Sequence, residues 1–153
     1  RLFPTSGDVP VEETVLEIGK ARIVRSGSDV TVTTHGYMTT VALAAAQLLA
    51  DGGIEVEVID LATLAPLDMA TICASVACTG KLVTLEEGQL SCGVGAEVAM
   101  RAMERLGPLA VHRIGARHAP VSSNPLLEAA TLPNAERVVY EIARFLDPAK
   151  GHC

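Results

Sequence analysis

Strands alternating with helices along these 153 residues predict an α/β domain: a parallel sheet with helices on both faces and right-handed crossovers between strands. Two local observations lead there. Short runs rich in Val and Thr alternate with stretches whose apolar residues recur at helical spacing, and two of these helical stretches end in glycine. The bulk composition agrees, because 49% hydrophobic and 20% charged residues mark a chain that buries a core. A single domain of this size hides roughly 70% of its unfolded surface.

The elements follow in order. Residues 1–17 hold Pro4, Gly7 and Pro10 without any period and read as a linker. Ala21 to Val24 is a short strand, and Ser26-Gly27-Ser28-Asp29 a turn. Val30 to Thr34 is a β-branched strand. Val41, Ala45, Leu48 and Leu49 then define a helix that stops at Asp51-Gly52-Gly53. Glu55 to Asp60 is the next strand. Asp68 is placed to cap a helix that buries Met69, Ile72, Cys73 and Val76 and stops at Gly80. Leu82 to Glu86 is a strand, followed by a helix with Ala99, Ala102, Met103 and Leu106 on one face. Leu109 to Ile114 is another strand. Residues 115–133 are proline-rich and irregular, with at most one helical turn from Pro125 to Ala129. A last helix starts near Asn134 and buries Val138, Val139, Ile142 and Leu146.

Several function classes drop out. With 12 basic and 18 acidic residues the net charge is −6, and without a basic cluster or many aromatics a nucleic-acid partner has no footprint. The run from Val41 to Ala50, broken by Gln47, is too short for a membrane span. Cys73, Cys78, Cys92 and Cys153 form no Cys-x-x-Cys pair and have no histidine at zinc spacing, which fits free thiols in a reducing compartment. A start at Arg1 rather than at methionine suggests a piece of a longer chain.

One stretch, LEEGQLSCGVGAE from Leu85 to Glu97, invites a chemical reading. Gly88 and Gly93 have the separation of a Walker loop, but Val94 stands where its lysine must be. Gly93 and Gly95 supply two glycines of a dinucleotide fingerprint, but Val98 replaces the third, and the loop follows a late strand. Glu86 and Glu87 are neighbours on a strand and point to opposite faces, so they share a site only if the strand has ended; a solvated strand end is the favoured reading. His35 closes a strand, His112 lies within one, and His118 and His152 have no fixed spacing to either. No Gly-x-Ser-x-Gly elbow, His-Glu-x-x-His pair or Gly-Asp-Gly thiamin motif is present. Residue chemistry alone thus gives an α/β domain without a complete catalytic set.

The segments GKARIVRSGSDVTVTTHGYMTTVALAAAQLL, EVEVIDLATLAPLD, GKLVTLEEGQLSCGVGAEVA and HAPVSSNPLLEAATLP, in this order and spacing, go further. Together they resemble the C-terminal domain of the beta subunit of 2-oxo acid dehydrogenase decarboxylase components, of the pyruvate, acetoin and branched-chain type. The resemblance covers about Pro10 to Leu146. It implies the transketolase C-terminal fold: three layers, α/β/α, with a mostly parallel five-stranded sheet of order 1-3-2-4-5 and an antiparallel first strand. It also divides the chain into a linker from a missing N-terminal domain (1–17), the domain itself (18–147) and a tail (148–153).

By the same resemblance, thiamin diphosphate and magnesium belong to the intact enzyme, between the alpha subunit and the preceding domain of the beta subunit. No cofactor, metal or catalytic residue is carried onto this chain. Its implied partners are that preceding domain, the alpha subunit, a second beta subunit in an α2β2 assembly, and the subunit-binding domain of a dihydrolipoyl acyltransferase. The last of these is basic in the relatives, and Glu128, Glu136, Glu141 and Asp147 are the candidate docking residues. His35 stands where relatives commonly have tyrosine. The implied location is the cytoplasm, or the mitochondrial matrix in a eukaryote. The alternatives are the equivalent domain of a transketolase or deoxyxylulose-phosphate synthase, and a free-standing module that binds a small ligand. Order 1-3-2-4-5 creates a switch point at the strand carboxyl ends, so a crevice lined by His35, Gly36, Glu86, Glu87, Gly93 and Gly95 is expected there. Its two glutamates favour an interdomain contact over a phosphate.

Overall fold

A computed structural model describes residues 7, 11–12 and 15–147. Most of the expected linker and all of the tail, with His152 and Cys153, therefore lie outside the described residues. Five strands, β1 (Arg22–Arg25), β2 (Val30–Thr34), β3 (Val56–Asp60), β4 (Lys81–Gln89) and β5 (Ala110–Ala116), form one sheet of order β1-β3-β2-β4-β5. β1 runs antiparallel to β3, and all other pairs are parallel. This is the expected topology.

Helices α1 (Tyr37–Asp51) and α5 (Ala135–Leu146) cover one face of the sheet, and α2 (Met69–Thr79) and α3 (Val94–Leu106) the other. Alternation along each strand decides what each face receives. Val30 and Val32 of β2, Val56 and Val58 of β3, and Val83 and Leu85 of β4 form a core with Met38, Ala42, Ala45 and Leu49 of α1 and Val138 and Ile142 of α5. On the opposite face, Leu61 and Leu82 meet Met69, Ile72 and Val76 of α2 and Val98, Ala99 and Ala102 of α3. Each fully buried Val, Leu, Ile or Met among them stabilises the fold by roughly 1.5–3 kcal/mol before entropy is charged against it, and the alanines contribute less.

Local chemistry fixes where the elements begin and end. Asp68 caps α2 as its position implies: its carboxylate accepts from Thr71 N at 3.2 Å and Thr71 Oγ1 at 2.8 Å. It also accepts from Ala21 N at 3.2 Å, tying the start of β1 to the helix. Gly80 closes α2 in the left-handed conformation, at φ 71°.

Several expectations shift. β4 runs on to Gln89, which pairs with Ala116 beyond a register irregularity and donates through Nε2 to Ala119 O at 3.1 Å. The irregular segment contains α4 (Pro125–Thr131), longer than one turn because Asn124 caps it and Pro125 opens it. Leu48, Met103 and Leu106 are exposed, since the buried stripe of α1 passes through Ala42, Ala45 and Leu49 and that of α3 through Gly95, Val98, Ala99 and Ala102. Cys73 is half-buried and packs against the second core.

Candidate functional site

The carboxyl ends of β2 and β4 meet the N-terminus of α3, and Glu86 occupies the junction. It is not the solvated strand end that its neighbours suggest: only 4% of it is exposed. β4 continues past it, so Glu86 keeps the inward face it shares with Thr84 two residues earlier, and Glu87 turns out to solvent. Glu86 Oε1 accepts from Gly95 N at 3.2 Å in the first turn of α3, where the helix leaves an unpaired donor. The Arg113 guanidinium stands 3.5 Å away from the same oxygen and also donates to the carbonyl of Leu90. Arg113 lies on β5 directly opposite Thr84 in the parallel ladder, diagonal to Glu86. One arginine therefore joins the buried carboxylate to the loop that leads into α3.

The glycines of this loop serve the carboxylate. A Cβ on Gly93 would lie 2.3 Å from Glu86 Oε2, and one on Gly95 would lie 2.3 Å from Thr84 Oγ1 and 2.8 Å from Glu86 Oε1. They are small because Glu86 and Thr84 fill the space beside them. Gly36 has a different reason, a φ of 60° at the start of α1.

Of the six residues expected at the switch point, the structure brings His35, Glu86 and Gly95 together. With Thr33, Thr84 and Val98 they line a void of about 10 Å³. Gly36 and Glu87 are exposed and do not reach it, and Gly93 lies against the far side of the Glu86 carboxylate. A space of that size holds about one water-sized sphere. Thiamin diphosphate does not fit it, on volume or on charge, since a buried carboxylate opposes a diphosphate. Among the described residues no group of three His, Cys, Asp or Glu is placed to hold a metal ion.

The candidate docking residues are scattered over α4 and α5. Glu136 is exposed in the first turn of α5, Glu128 is partly buried on α4, and Asp147 ends α5. Glu141 is engaged internally, 2.8 Å from His112 Nε2 and accepting from Arg137 Nε at 3.3 Å. His112, in turn, stacks on Phe145 with ring centroids 5.6 Å apart, so the strand histidine has a structural setting. Larger hollows, of about 300 to 440 Å³, lie on the surface; three are away from the strand carboxyl ends, and one of about 300 Å³ lies at the N-terminal turns of α1 and α5, on the other face of the sheet from Glu86.

Reading the sequence for catalysis missed Thr33, Thr84 and Arg113. A signal existed for one of them: in Thr84-Leu85-Glu86, polar residues two apart on an otherwise apolar strand share a face.

The geometry describes a three-layer α/β/α domain whose switch point is closed by its own glutamate. Comparison with known proteins gives the family: residues 19–138 match the model for the transketolase C-terminal domain, and the chain belongs to that family. It is 38% identical over 140 residues to the beta subunit of acetoin:2,6-dichlorophenolindophenol oxidoreductase from Cupriavidus necator, covering 90% of this chain and 41% of that subunit. It is 44% identical over 140 residues to the mitochondrial pyruvate dehydrogenase E1 component subunit beta of Pisum sativum, covering 90% of this chain and 39% of the relative. Among solved structures, a split-gene transketolase described as an inactive beta4 tetramer superposes with a TM-score of 0.79 at 31% identity, over 92% of this chain and 47% of its own. The chain thus spans about two fifths of the length of the curated relatives it matches.

Proposed function

We propose that this chain is the C-terminal assembly and docking domain of the beta subunit of a thiamin diphosphate-dependent 2-oxo acid dehydrogenase, residues 18–147 being the domain. The oxidative decarboxylation belongs to the intact complex, and the reacting carbon is handled outside this segment. The observation that carries the reading is the strand-end site: it closes on Glu86 and leaves about 10 Å³, although ligands of open α/β sheets usually bind there. Likeness to beta subunits across 90% of the chain supports the choice of enzyme. The partners are the preceding domain, the alpha subunit, a second beta subunit and a basic acyltransferase subunit-binding domain. Glu136, exposed at the start of α5, is the best placed of the four acidic candidates to meet a basic partner.

Sedimentation of the beta subunit with the alpha subunit tests the assembly role. The full-length subunit should form a heterotetramer, and one cut before Gly19 should not. A truncated subunit that assembles and turns over as well as the full-length one overturns the reading. Glu136→Lys should weaken acyltransferase binding and leave assembly intact. A second reading, the equivalent part of a transketolase, draws on the TM-score of 0.79 to the split-gene enzyme. Turnover of a 2-oxo acid rather than transfer between sugar phosphates by the reconstituted enzyme separates the two.

A further inference from the structure

We propose that the void between β2, β4 and the N-terminus of α3 is a binding site for one water molecule, which bridges the Thr33 and Thr84 hydroxyls to the Glu86 carboxylate. Size sets the first limit, because about 10 Å³ admits a single small molecule. Hydrogen bonding sets the second. Thr33 and Thr84 are each 2% exposed, and their Oγ1 atoms are buried without a protein partner. Buried hydroxyls are rarely left so. Their neighbour Thr31, on the same face of β2, shows the usual solution: its hydroxyl bonds Ser75 Oγ at 2.6 Å and Thr79 Oγ1 at 2.7 Å. No side chain from α3 does the same for Thr33 and Thr84, because Gly95, where the helix passes Thr84, has none.

Charge then selects among small occupants. An anion is opposed by Glu86. A cation is opposed by the Arg113 guanidinium 3.5 Å from Glu86 Oε1 and by the positive end of the α3 dipole, whose Gly95 N–H points at that oxygen from 3.2 Å. What remains is neutral, and able to accept from two hydroxyls while donating to a carboxylate. Water does this with three of its four hydrogen-bonding positions, a usual number for a buried one. It would hold Glu86 in the orientation that accepts from Gly95.

Crystallography of the intact protein that carries this domain, in maps that show ordered solvent, tests the proposal. The wild-type map should contain one water peak within hydrogen-bond distance of Thr33, Thr84 and Glu86. The Thr33→Val/Thr84→Val variant, equal in shape but without the hydroxyls, should lose the peak, and Thr84→Ser should keep it. Exchange of the Gly95 amide should be faster in the valine variant. A wild-type map without the peak overturns the proposal, and so does a peak that persists when both hydroxyls are gone. An anomalous signal marking an ion there also refutes it. Should the valine variant fail to fold, the wild-type and Thr84→Ser maps decide by themselves.

Discussion

The two faces of the sheet are built on different principles. Towards α1 and α5 the central strands present Val30, Val32, Val83 and Leu85, and the core there is almost wholly apolar. Towards α2 and α3 the same two strands present Thr31, Thr33, Thr84 and Glu86, all buried, with Leu82. The first face holds its helices by area, which is strong but says little about direction. The second holds them through particular atoms: Thr31 reaches Ser75 and Thr79 on α2, and Glu86 reaches Gly95 on α3. Buried polar groups stabilise only when satisfied, so that face fixes the position of its helices closely and leaves no open strand-end crevice. A scaffold that must present fixed surfaces to other subunits benefits from such a face, and an enzyme that must admit a cofactor there does not.

Substitutions on the two faces should therefore fail in different ways. Leu85→Ala, in the apolar face, should cost about 2–5 kcal/mol in urea unfolding, the loss tracking the cavity it leaves. Gly95→Ala should cost about 1–3 kcal/mol despite adding only a methyl, because that methyl meets Thr84 and Glu86. A neutral Gly95→Ala would mean that the Glu86 junction is loose, and the contrast between the faces would blur. Thr31→Val keeps the shape and strands the Ser75 hydroxyl, at roughly 1–2 kcal/mol. If it is neutral or stabilising, the hydroxyl network is filler and both faces work by area alone.

The smallest effect is expected at the cap of α2. Asp68→Ala should cost about 1 kcal/mol near neutral pH. Burial opposes ionisation of Asp68, but the Thr71 hydroxyl and N–H, the Ala21 N–H and the nearby Lys20 outweigh it and hold the carboxyl below its ordinary range. A carboxyl depressed in the folded state contributes its stability above its unfolded value and loses it as pH falls through the folded one. The difference between wild type and Asp68→Ala should thus shrink below about pH 4. Unfolding curves at pH 7 and at pH 3 check this.

How much of this could be read in the sequence depends on range. The Asp68 cap, the Gly80 stop and the stripe of Val138 and Ile142 are set by residues a few positions apart, so local pattern finds them. The strand order came through likeness of whole segments to a family, since no local rule states that β3 lies between β1 and β2. The burial of Glu86 is not legible locally because its partner Arg113 is 27 positions away on β5. A carboxylate near the end of a strand looks solvated until that arginine and the α3 N-terminus are brought beside it. The full length of α4 is not legible because its apolar residues are exposed, Leu126 at 81% and Leu127 at 58%, so no buried face announces it. The cap at Asn124, which accepts from Leu126 N at 2.9 Å, was the signal to weigh.

The central claim is that this domain supports an enzyme's architecture without a cofactor site of its own. Calorimetric titration of thiamin diphosphate with magnesium into the isolated chain tests it most directly. The account predicts no heat of binding, because Glu86 fills the switch-point crevice between β2 and β4, where ligands of open α/β sheets usually bind. One-to-one binding at micromolar affinity would contradict it.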